Sequence, residues 1–187
     1  GHGSPVLHLE RHGLLRENLL AAHVNYLGPA IAELLGRGRV SVVHCPRSHA
    51  YFQYDPFPRE ELGQAGVNLC LGTDSLASIP GTRRQKAELD LFVEMRGLSE
   101  AAPALSPELI LRQATVNGAR ALGLAGKMGE LSTGAFADLI AIPFGEGNTN
   151  VYEAVLGHAG NVSASMIDGR WAIPPVAVAN SLEYDLA

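Results

Sequence analysis

Three side chains able to do acid–base or metal chemistry each follow a separate apolar run of this sequence. His23 and His44 come directly after their runs, and Asp74 follows the third run beyond Gly72 and Thr73. An imidazole exchanges protons near neutral pH, and a carboxylate can act as a base or bind a cation. A lone histidine after an apolar run is usually a core residue, but three such residues on three runs predict a shared site.

Asp74 is the most informative of the three. A carboxylate directly after a buried strand is costly unless it is paired, protonated or bound to a cation. The competing interpretation is a turn cap, with Thr73 and Ser75 beside it in the chain. The sequence favours a functional carboxylate over the turn cap.

The segment 44–49, His-Cys-Pro-Arg-Ser-His, has the composition of a metal cluster. Its donors are too close in sequence for a tetrahedral finger, and no second ligand pair follows. Pro46 more simply ends a strand, and Arg47 is suited to hold a carboxylate or a phosphate. Dinucleotide-binding and Walker glycine loops, the Gly-x-Ser-x-Gly elbow and the Pro-Cys-x-x-Cys deaminase signature are all missing from the sequence.

The apolar runs that precede these residues alternate with segments of helical spacing. Runs that are apolar on both faces are typical of parallel strands buried under crossover helices. In parallel α/β barrels the catalytic groups lie at the carboxyl ends of the strands, on one shared face. The predicted strands cover residues 19–22, 40–43 and 67–71, and the predicted helices cover residues 30–35 and 59–65, closing on Gly36 and Gly66.

Two longer helices are predicted after the third strand, at residues 86–97 and 107–122. The second begins with a capping signal, because Ser106 precedes Pro107 at the first helical position. Both segments carry apolar residues at helical spacing.

The character of the sequence changes beyond Gly123, where glycines become dense. Short β-like runs are predicted there at residues 137–142, 151–156 and 162–167. The chain is therefore expected to divide into an α/β part, residues 1–125, and a small β segment with a C-terminal tail, residues 126–187.

Composition excludes several classes of function. The 187 residues contain 14 Lys+Arg against 19 Asp+Glu, a net charge of -5, which argues against binding a nucleic acid backbone. No apolar stretch reaches the ~18 residues of a membrane span, and no signal peptide is visible. Cys45 and Cys70 both lie in apolar runs, which predicts buried thiols rather than a disulfide framework. We expect a reduced, cytoplasmic protein.

An ordered series of motifs resembles the amidohydrolase superfamily, in the branch of S-adenosylhomocysteine and adenosine-type deaminases, guanine deaminases and chlorotriazine hydrolases. The resemblance covers roughly residues 14–173, and the combination of its motifs is specific. The segments that carry it are 20–27 (Leu-Ala-Ala-His-Val-Asn-Tyr-Leu), 42–48 (Val-Val-His-Cys-Pro-Arg-Ser), 71–75 (Leu-Gly-Thr-Asp-Ser), 91–96, 114–124, 134–140 and 162–171.

The resemblance implies a (β/α)₈ barrel followed by part of a small β-sandwich. In that frame His23 ends strand six, His44 ends strand seven and Asp74 ends strand eight. A complete barrel takes ~250 residues, and only three of its strands are legible here. We therefore expect this chain to be the C-terminal portion of a longer hydrolase, with the missing N-terminal part as its partner.

The resemblance also implies one divalent metal, usually zinc and sometimes iron, with Asp74 as a ligand. The remaining ligands, a His-x-His pair and a further histidine, are expected upstream of this chain. Asp74 would also take a proton from the attacking water, and His23 would hydrogen-bond that water or the developing oxyanion. The residues expected to contact substrate are His44, Arg47 and Ser78.

The implied reaction on this small-molecule substrate is hydrolytic deamination of an aminated purine-type ring, with release of ammonia. Segments 44–52 and 76–78 look most like aminodeoxyfutalosine-type deaminases, although His49 stands where many relatives have asparagine. Two alternatives stay open: hydrolysis of a chlorotriazine or a cyclic amide at the same site, and a non-catalytic binding protein of this fold. A homodimer is one option for its assembly.

Overall fold

Two three-stranded sheets and their surrounding helices form the part of the chain that the computed structural model describes, residues 4–79, 88–145 and 150–176. The strands are β1 (Leu20–Ala22), β2 (Ser41–His44), β3 (Asn68–Leu71), β4 (Leu139–Ala141), β5 (Ala164–Ile167) and β6 (Arg170–Ile173). The helices are α1 (Pro5–Arg11), α2 (Ile31–Arg37), α3 (Pro46–Tyr51), α4 (Arg59–Gln64), α5 (Leu91–Ala101), α6 (Pro107–Ala114), α7 (Val116–Ala121) and α8 (Val151–Gly157), with a 3-10 turn at Leu76–Ser78.

The first sheet is parallel, with its strands in the order β1-β2-β3. Ala21 pairs with Val42, and Val43 pairs with Cys70. Helix α2 connects the first two strands, and α3 and α4 connect the second pair, so each connection is a crossover. The three apolar runs therefore form the predicted parallel strands, while their place as strands six to eight of a barrel stays a prediction.

The core of this layer lies between the sheet and the helices α2 and α4. Leu35, Val40, Val42 and Leu62 are almost completely buried and belong to one cluster. Burial of a side chain of this size contributes about 1.5–3 kcal/mol relative to exposure. The cluster fixes the strands and so fixes the loops that leave their carboxyl ends.

Gly36 has a different role from the one predicted for it. Helix α2 continues to Arg37, so Gly36 is not its terminal residue. A Cβ atom on Gly36 would lie 1.9 Å from the backbone oxygen of Ala65. Glycine is required there because the backbones of α2 and α4 meet, whereas Gly66, with φ +74°, does follow the end of α4 as predicted.

Helices α5, α6 and α8 form a second cluster with the end of β3. The predicted cap of α6 is present, with the Leu109 amide donating to Ser106 Oγ over 3.2 Å. The predicted helix 107–122 is broken at Thr115, whose hydroxyl donates to the Leu111 carbonyl. The break starts α7 in a new direction, from which the side-chain Nδ2 of Asn117 donates to the Leu69 carbonyl of β3 over 2.8 Å.

One predicted helix and one predicted strand differ from the elements observed. Helix α5 begins at Leu91, capped by Asp90, whose Oδ1 accepts from the Phe92 amide over 2.7 Å. The start predicted at Lys86 falls outside the described residues. The run 151–156, predicted as a β segment, is helix α8, because Asn150 caps it and Tyr152, Val155 and Leu156 have helical spacing.

The second sheet is antiparallel, in the order β4-β5-β6. Its strands arise from the runs predicted at 137–142 and 162–167 and from the residues that follow. Ile140, Ile167 and Trp171 on this sheet remain about half exposed or more. Within the described ranges, every helix is too short or too polar to cross a membrane.

Candidate active site

The carboxyl ends of the three parallel strands bring His23, His44 and Asp74 to one edge of the sheet. The His23 amide donates to the Val43 carbonyl over 2.9 Å, which continues the β1–β2 ladder by one residue. The Gly72 amide donates to the His44 carbonyl in the same way. The loops that carry His23 and Asp74 therefore leave the same edge of the sheet, one on each side of β2.

His23 and Asp74 face one another at this edge. His23 Nε2 lies 4.0 Å from Asp74 Oδ2, and the two side chains are 40% and 28% exposed. This separation matches the expectation that both side chains can reach one water molecule. Their catalytic roles stay a prediction.

The backbone at this pair adopts unusual conformations. His23, Val24 and Asp74 have φ values of 68°, 49° and 54°, in the left-handed region that non-glycine residues rarely occupy. Such residues cost of order 1–3 kcal/mol each and persist only where the surrounding structure holds them, which is most common at functional sites. The strain agrees with a functional edge, but left-handed non-glycine residues also occur elsewhere, at Ala30, Arg39, Gln53 and Asp168.

Two serine hydroxyls hold the Asp74 carboxylate. Ser48 Oγ donates to Asp74 Oδ2 over 2.6 Å, and Ser78 Oγ lies 3.0 Å from the same oxygen. The bond from Ser48 is the main cause that lowers the pKa of Asp74, with Ser78 and the nearby His23 acting in the same direction and partial burial opposing them. Asp74 is therefore ionised at neutral pH.

The same contacts locate Ser78, which was predicted to bind substrate. Its side chain is buried and directed at Asp74. Ser48 was not singled out from the sequence, although it lies in the conspicuous segment 44–49. Substrate contact by Ser78 stays a prediction.

His44 is buried and packed face to face on Phe57, with ring centroids 4.1 Å apart. Burial is the main cause that lowers the pKa of His44 to about 3, and the charges of Arg59, His49 and His23 add to it. His44 is therefore a neutral, enclosed ring at neutral pH. Its ring is enclosed rather than exposed like His23 and Asp74, and its substrate contact also stays a prediction.

Arg47 binds a carboxylate of the protein itself. Its Nε donates to Glu94 Oε1 over 2.6 Å, and its backbone amide donates to Glu94 Oε2 over 3.0 Å. Glu94 lies on α5 and has no exposed surface, and its burial raises its pKa while the bonds from Arg47 oppose that rise. Sequence reasoning anticipated a carboxylate as the partner of Arg47 but missed Glu94, and substrate contact by Arg47 stays a prediction.

The loops after β1 and β2 are joined by a further polar contact. His49 Nδ1 lies 3.1 Å from Asn25 Oδ1, and burial lowers the pKa of His49.

Both cysteines are buried, and burial raises the pKa of the Cys45 and Cys70 thiols to about 11. The thiols are thus protonated at neutral pH and unsuited to act as nucleophiles or ligands.

The described residues offer only part of a metal centre. A catalytic zinc ion usually takes three protein ligands, and no cluster of three His, Cys, Asp or Glu occurs in the described part of the chain. Asp74 is suited to be one ligand, because it is ionised and faces an imidazole across 4.0 Å. Any further ligands would have to come from residues outside those described.

Comparison with known proteins identifies the class. The sequence model of the amidohydrolase family matches residues 1–172, and the chain belongs to that family. The expectation drawn from the motifs is thereby confirmed.

Two bacterial enzymes that share one name are similar to most of this chain. The 5-methylthioadenosine/S-adenosylhomocysteine deaminase of Syntrophobacter fumaroxidans is 44% identical over 147 residues, which cover 75% of this chain and 32% of that protein. The enzyme of the same name from Desulfitobacterium hafniense is 34% identical, over 89% of this chain and 40% of its own. The chain thus spans between a third and two fifths of the length of these relatives.

Solved structures agree with this assignment. An adenosine deaminase from Xanthomonas campestris with bound zinc is 33% identical, with a TM-score of 0.79 over 89% of this chain and 39% of the other. The guanine deaminase of E. coli is 20% identical, with a TM-score of 0.72 over 87% of this chain and 41% of the other, and supports the fold alone.

Proposed function

We propose that the full-length protein catalyses the hydrolytic deamination of an aminated purine-type ring. The observation that carries the proposal is the ionised Asp74 carboxylate facing His23 at the carboxyl edge of a parallel sheet. The names of the relatives support a substrate class for this proposal, an adenosine-type nucleoside that carries a thioether, such as 5-methylthioadenosine or S-adenosylhomocysteine. Ammonia is the second product.

The two site residues have complementary tasks in this reaction. Asp74 accepts a proton from the water that attacks the amino-bearing ring carbon, and later passes a proton to the departing amine. His23 orients the water and donates a hydrogen bond to the oxygen where negative charge develops. The carbon–nitrogen bond breaks as the ring carbon gains an oxygen, and the amine leaves as ammonia.

A divalent metal fits this arrangement in the full-length protein. Asp74 would be one of its ligands, and a bound zinc ion would lower the pKa of a coordinated water toward ~7. Zinc is the first choice because the Xanthomonas relative contains it, and iron is the second expectation from the motifs. The other ligands are proposed to lie N-terminal to this chain.

A second candidate is a binding protein of the same fold without catalysis. It would hold if the full-length protein lacked the further metal ligands, since residues 4–79, 88–145 and 150–176 contain no three-ligand cluster. The two candidates differ in metal content, and one experiment separates them.

The experiment measures ammonia release by the full-length protein with 5-methylthioadenosine, S-adenosylhomocysteine and adenosine. We expect turnover by the wild type, and a loss of at least ~10³-fold in Asp74→Asn, which removes a proton carrier. Asp168→Asn is the matched control, because Asp168 also has a left-handed φ, of 48°, and lies in the turn between β5 and β6. Lack of ammonia release with zinc-loaded protein would favour the binding protein.

His23→Ala tests the division of labour within the pair. We expect turnover to fall by ~10²-fold or more while the metal content stays near that of the wild type, because His23 is expected to act on the water rather than as a ligand. Metal analysis by mass spectrometry provides the measurement. Loss of the ion from His23→Ala would show that His23 has been assigned to the wrong strand.

A further inference from the structure

Asp74 needs an external support to point its carboxylate in one direction. It lies three residues beyond β3, with a left-handed backbone and a side chain that is partly exposed. An aspartate in such a loop can rotate about two side-chain bonds. The described contacts with Ser48, Ser78 and His23 all converge on one oxygen, Oδ2.

Ser48 is the better defined of the two hydroxyl donors. A hydroxyl has one proton, and Ser78 Oγ lies 3.0 Å from both Asp74 Oδ2 and the Ser75 carbonyl, so its proton is divided between two acceptors. Ser48 Oγ lies 2.6 Å from Asp74 Oδ2, within the short range of hydrogen bonds to charged acceptors. Ser48 is also 1% exposed, so water competes little for this bond.

The position of Ser48 is set from a distant element. Ser48 lies in the first turn of α3, whose preceding residue Cys45 provides no side-chain cap. Glu94 of α5 supplies one instead, since its Oε2 accepts from the Arg47 amide and its Oε1 accepts from Arg47 Nε. One carboxylate therefore ties the backbone and the side chain of the residue next to Ser48.

The burial of this ion pair points to a role in orientation. Glu94 is 0% exposed, and desolvation of such a pair usually makes it no more stabilising than apolar side chains of similar size. What apolar side chains cannot supply is a directional link between α3 and α5. This link fixes Arg47, and the next residue, Ser48, donates a hydrogen bond to the Asp74 carboxylate.

We propose that Ser48 is a positioning residue for Asp74, and that the buried Arg47–Glu94 pair fixes Ser48 for this task. The proposal rests on the proposed function, in which Asp74 carries the chemistry. Arg47 accordingly serves the site through Ser48 rather than by contact with the substrate.

Ser48→Ala in the full-length protein tests the first part. We expect kcat to fall about 10–100-fold with KM changed less than about threefold, and the affinity for Zn²⁺, measured against a chelator, to weaken by about 10–100-fold. A crystal structure of the metal-free variant should show Asp74 in a different rotamer. Ser41→Ala is the matched control, because Ser41 is 2% exposed and its hydroxyl bonds to Asn68 instead.

Arg47→Lys tests the second part through a double-mutant cycle. This variant keeps the positive charge and the backbone amide bond to Glu94 Oε2, but loses the guanidinium, whose Nε bonds to Glu94 Oε1 and whose terminal nitrogen bonds to the Glu88 carbonyl. If the pair acts through Ser48, Arg47→Lys lowers kcat in the wild type and lowers it little further in Ser48→Ala. Multiplicative losses in the double variant would overturn the role of the pair.

The outcomes separate this proposal from the proposed function. Absence of ammonia release by the wild type would overturn the proposed function, while the Asp74 rotamer and Zn²⁺ affinity of Ser48→Ala would still decide the positioning role. An unchanged rotamer and unchanged Zn²⁺ affinity in a folded Ser48→Ala would overturn it. Thermal unfolding of each variant verifies that the protein compared is folded.

Discussion

At the scale of single residues, the enclosed ring of His44 makes the fold sensitive to acid. Burial against Phe57 holds the pKa of His44 at about 3, below its ordinary value of 6.5. Between these two values the unfolded chain binds more protons than the folded one, so stability is lost as the pH falls from about 6.5 toward 3. The contribution reaches up to about 5 kcal/mol across the whole interval, at 1.36 kcal/mol per pKa unit.

Chemical denaturation of metal-free, full-length protein at several pH values measures this effect. The free energy of unfolding of the wild type should decline through the interval, and that of His44→Gln should decline less steeply because the titrating ring is gone. His12→Gln, at an exposed histidine of the same chain, should follow the wild type. Equal slopes for the wild type and His44→Gln would contradict the prediction.

Sequence reasoning at this scale succeeded where the strand ends decide the geometry. The sequence predicts that His23 and Asp74 lie close together, because parallel strands place their carboxyl ends at one edge of the sheet. Glu94 could not be found that way, since its partner Arg47 lies 47 residues earlier and only packing of α5 against α3 brings them together. The contact of Ser48 with Asp74 likewise depends on a helix orientation that residue types do not encode.

At the scale of elements, the contact between α2 and α4 depends on one residue without a side chain. A Cβ atom on Gly36 would lie 1.9 Å from the Ala65 carbonyl oxygen, far inside any tolerated distance. We expect Gly36→Ala to separate the two helices and to lower the free energy of unfolding by about 1–3 kcal/mol, as overpacked cores do. Denaturant unfolding of the full-length protein measures the change.

Gly63, on α4, provides the matched control for this substitution. A Cβ atom there meets nothing within 4 Å, so Gly63→Ala should keep or slightly raise stability by about 0.5–1 kcal/mol through the better helix propensity of alanine. A Gly36→Ala variant as stable as Gly63→Ala would show that α2 and α4 can move apart at no cost.

The elements themselves were predictable where local signals were strong. The three parallel strands and the Ser106 cap of α6 follow from apolar runs and a capping serine. Helix α8 was mistaken for a strand because it has only seven residues and the helical spacing of Tyr152, Val155 and Leu156 covers little more than one turn, while the decisive signal was the cap at Asn150. The break at Thr115 is imposed by packing. Because the helix changes direction there, the side-chain amide of Asn117 reaches the backbone carbonyl of Leu69 on β3.

At the scale of the whole molecule, parts of both described sheets have features that are usual for a covered surface rather than for one exposed to water. Among the described residues no strand pairs with the outer sides of β1 and β3, although Asn117 of α7 bonds to the Leu69 carbonyl of β3, and barrels normally remove such edges by closure. Ile140, Ile167 and Trp171 leave much of the second sheet apolar and exposed. Exposed edges and contiguous apolar surface are typical of faces that another part of the protein covers.

These surfaces lead to a prediction for residues 1–187 expressed alone. The relatives are two and a half to three times as long as their matched portions, since those portions are 40% and 32% of their length. The described residues offer one suitable ligand, Asp74, where a catalytic zinc ion usually takes three. We expect this polypeptide to release no ammonia, to bind Zn²⁺ weakly, and to aggregate or to bind the N-terminal part of its own protein when the two are mixed.

Three measurements on this polypeptide check the prediction, with the full-length protein as the control: zinc stoichiometry, ammonia release, and light scattering for aggregation or association. Tight one-to-one Zn²⁺ binding with turnover by a monomer of residues 1–187 would show that these strands complete a site unaided, and would overturn their assignment to strands six to eight of a barrel.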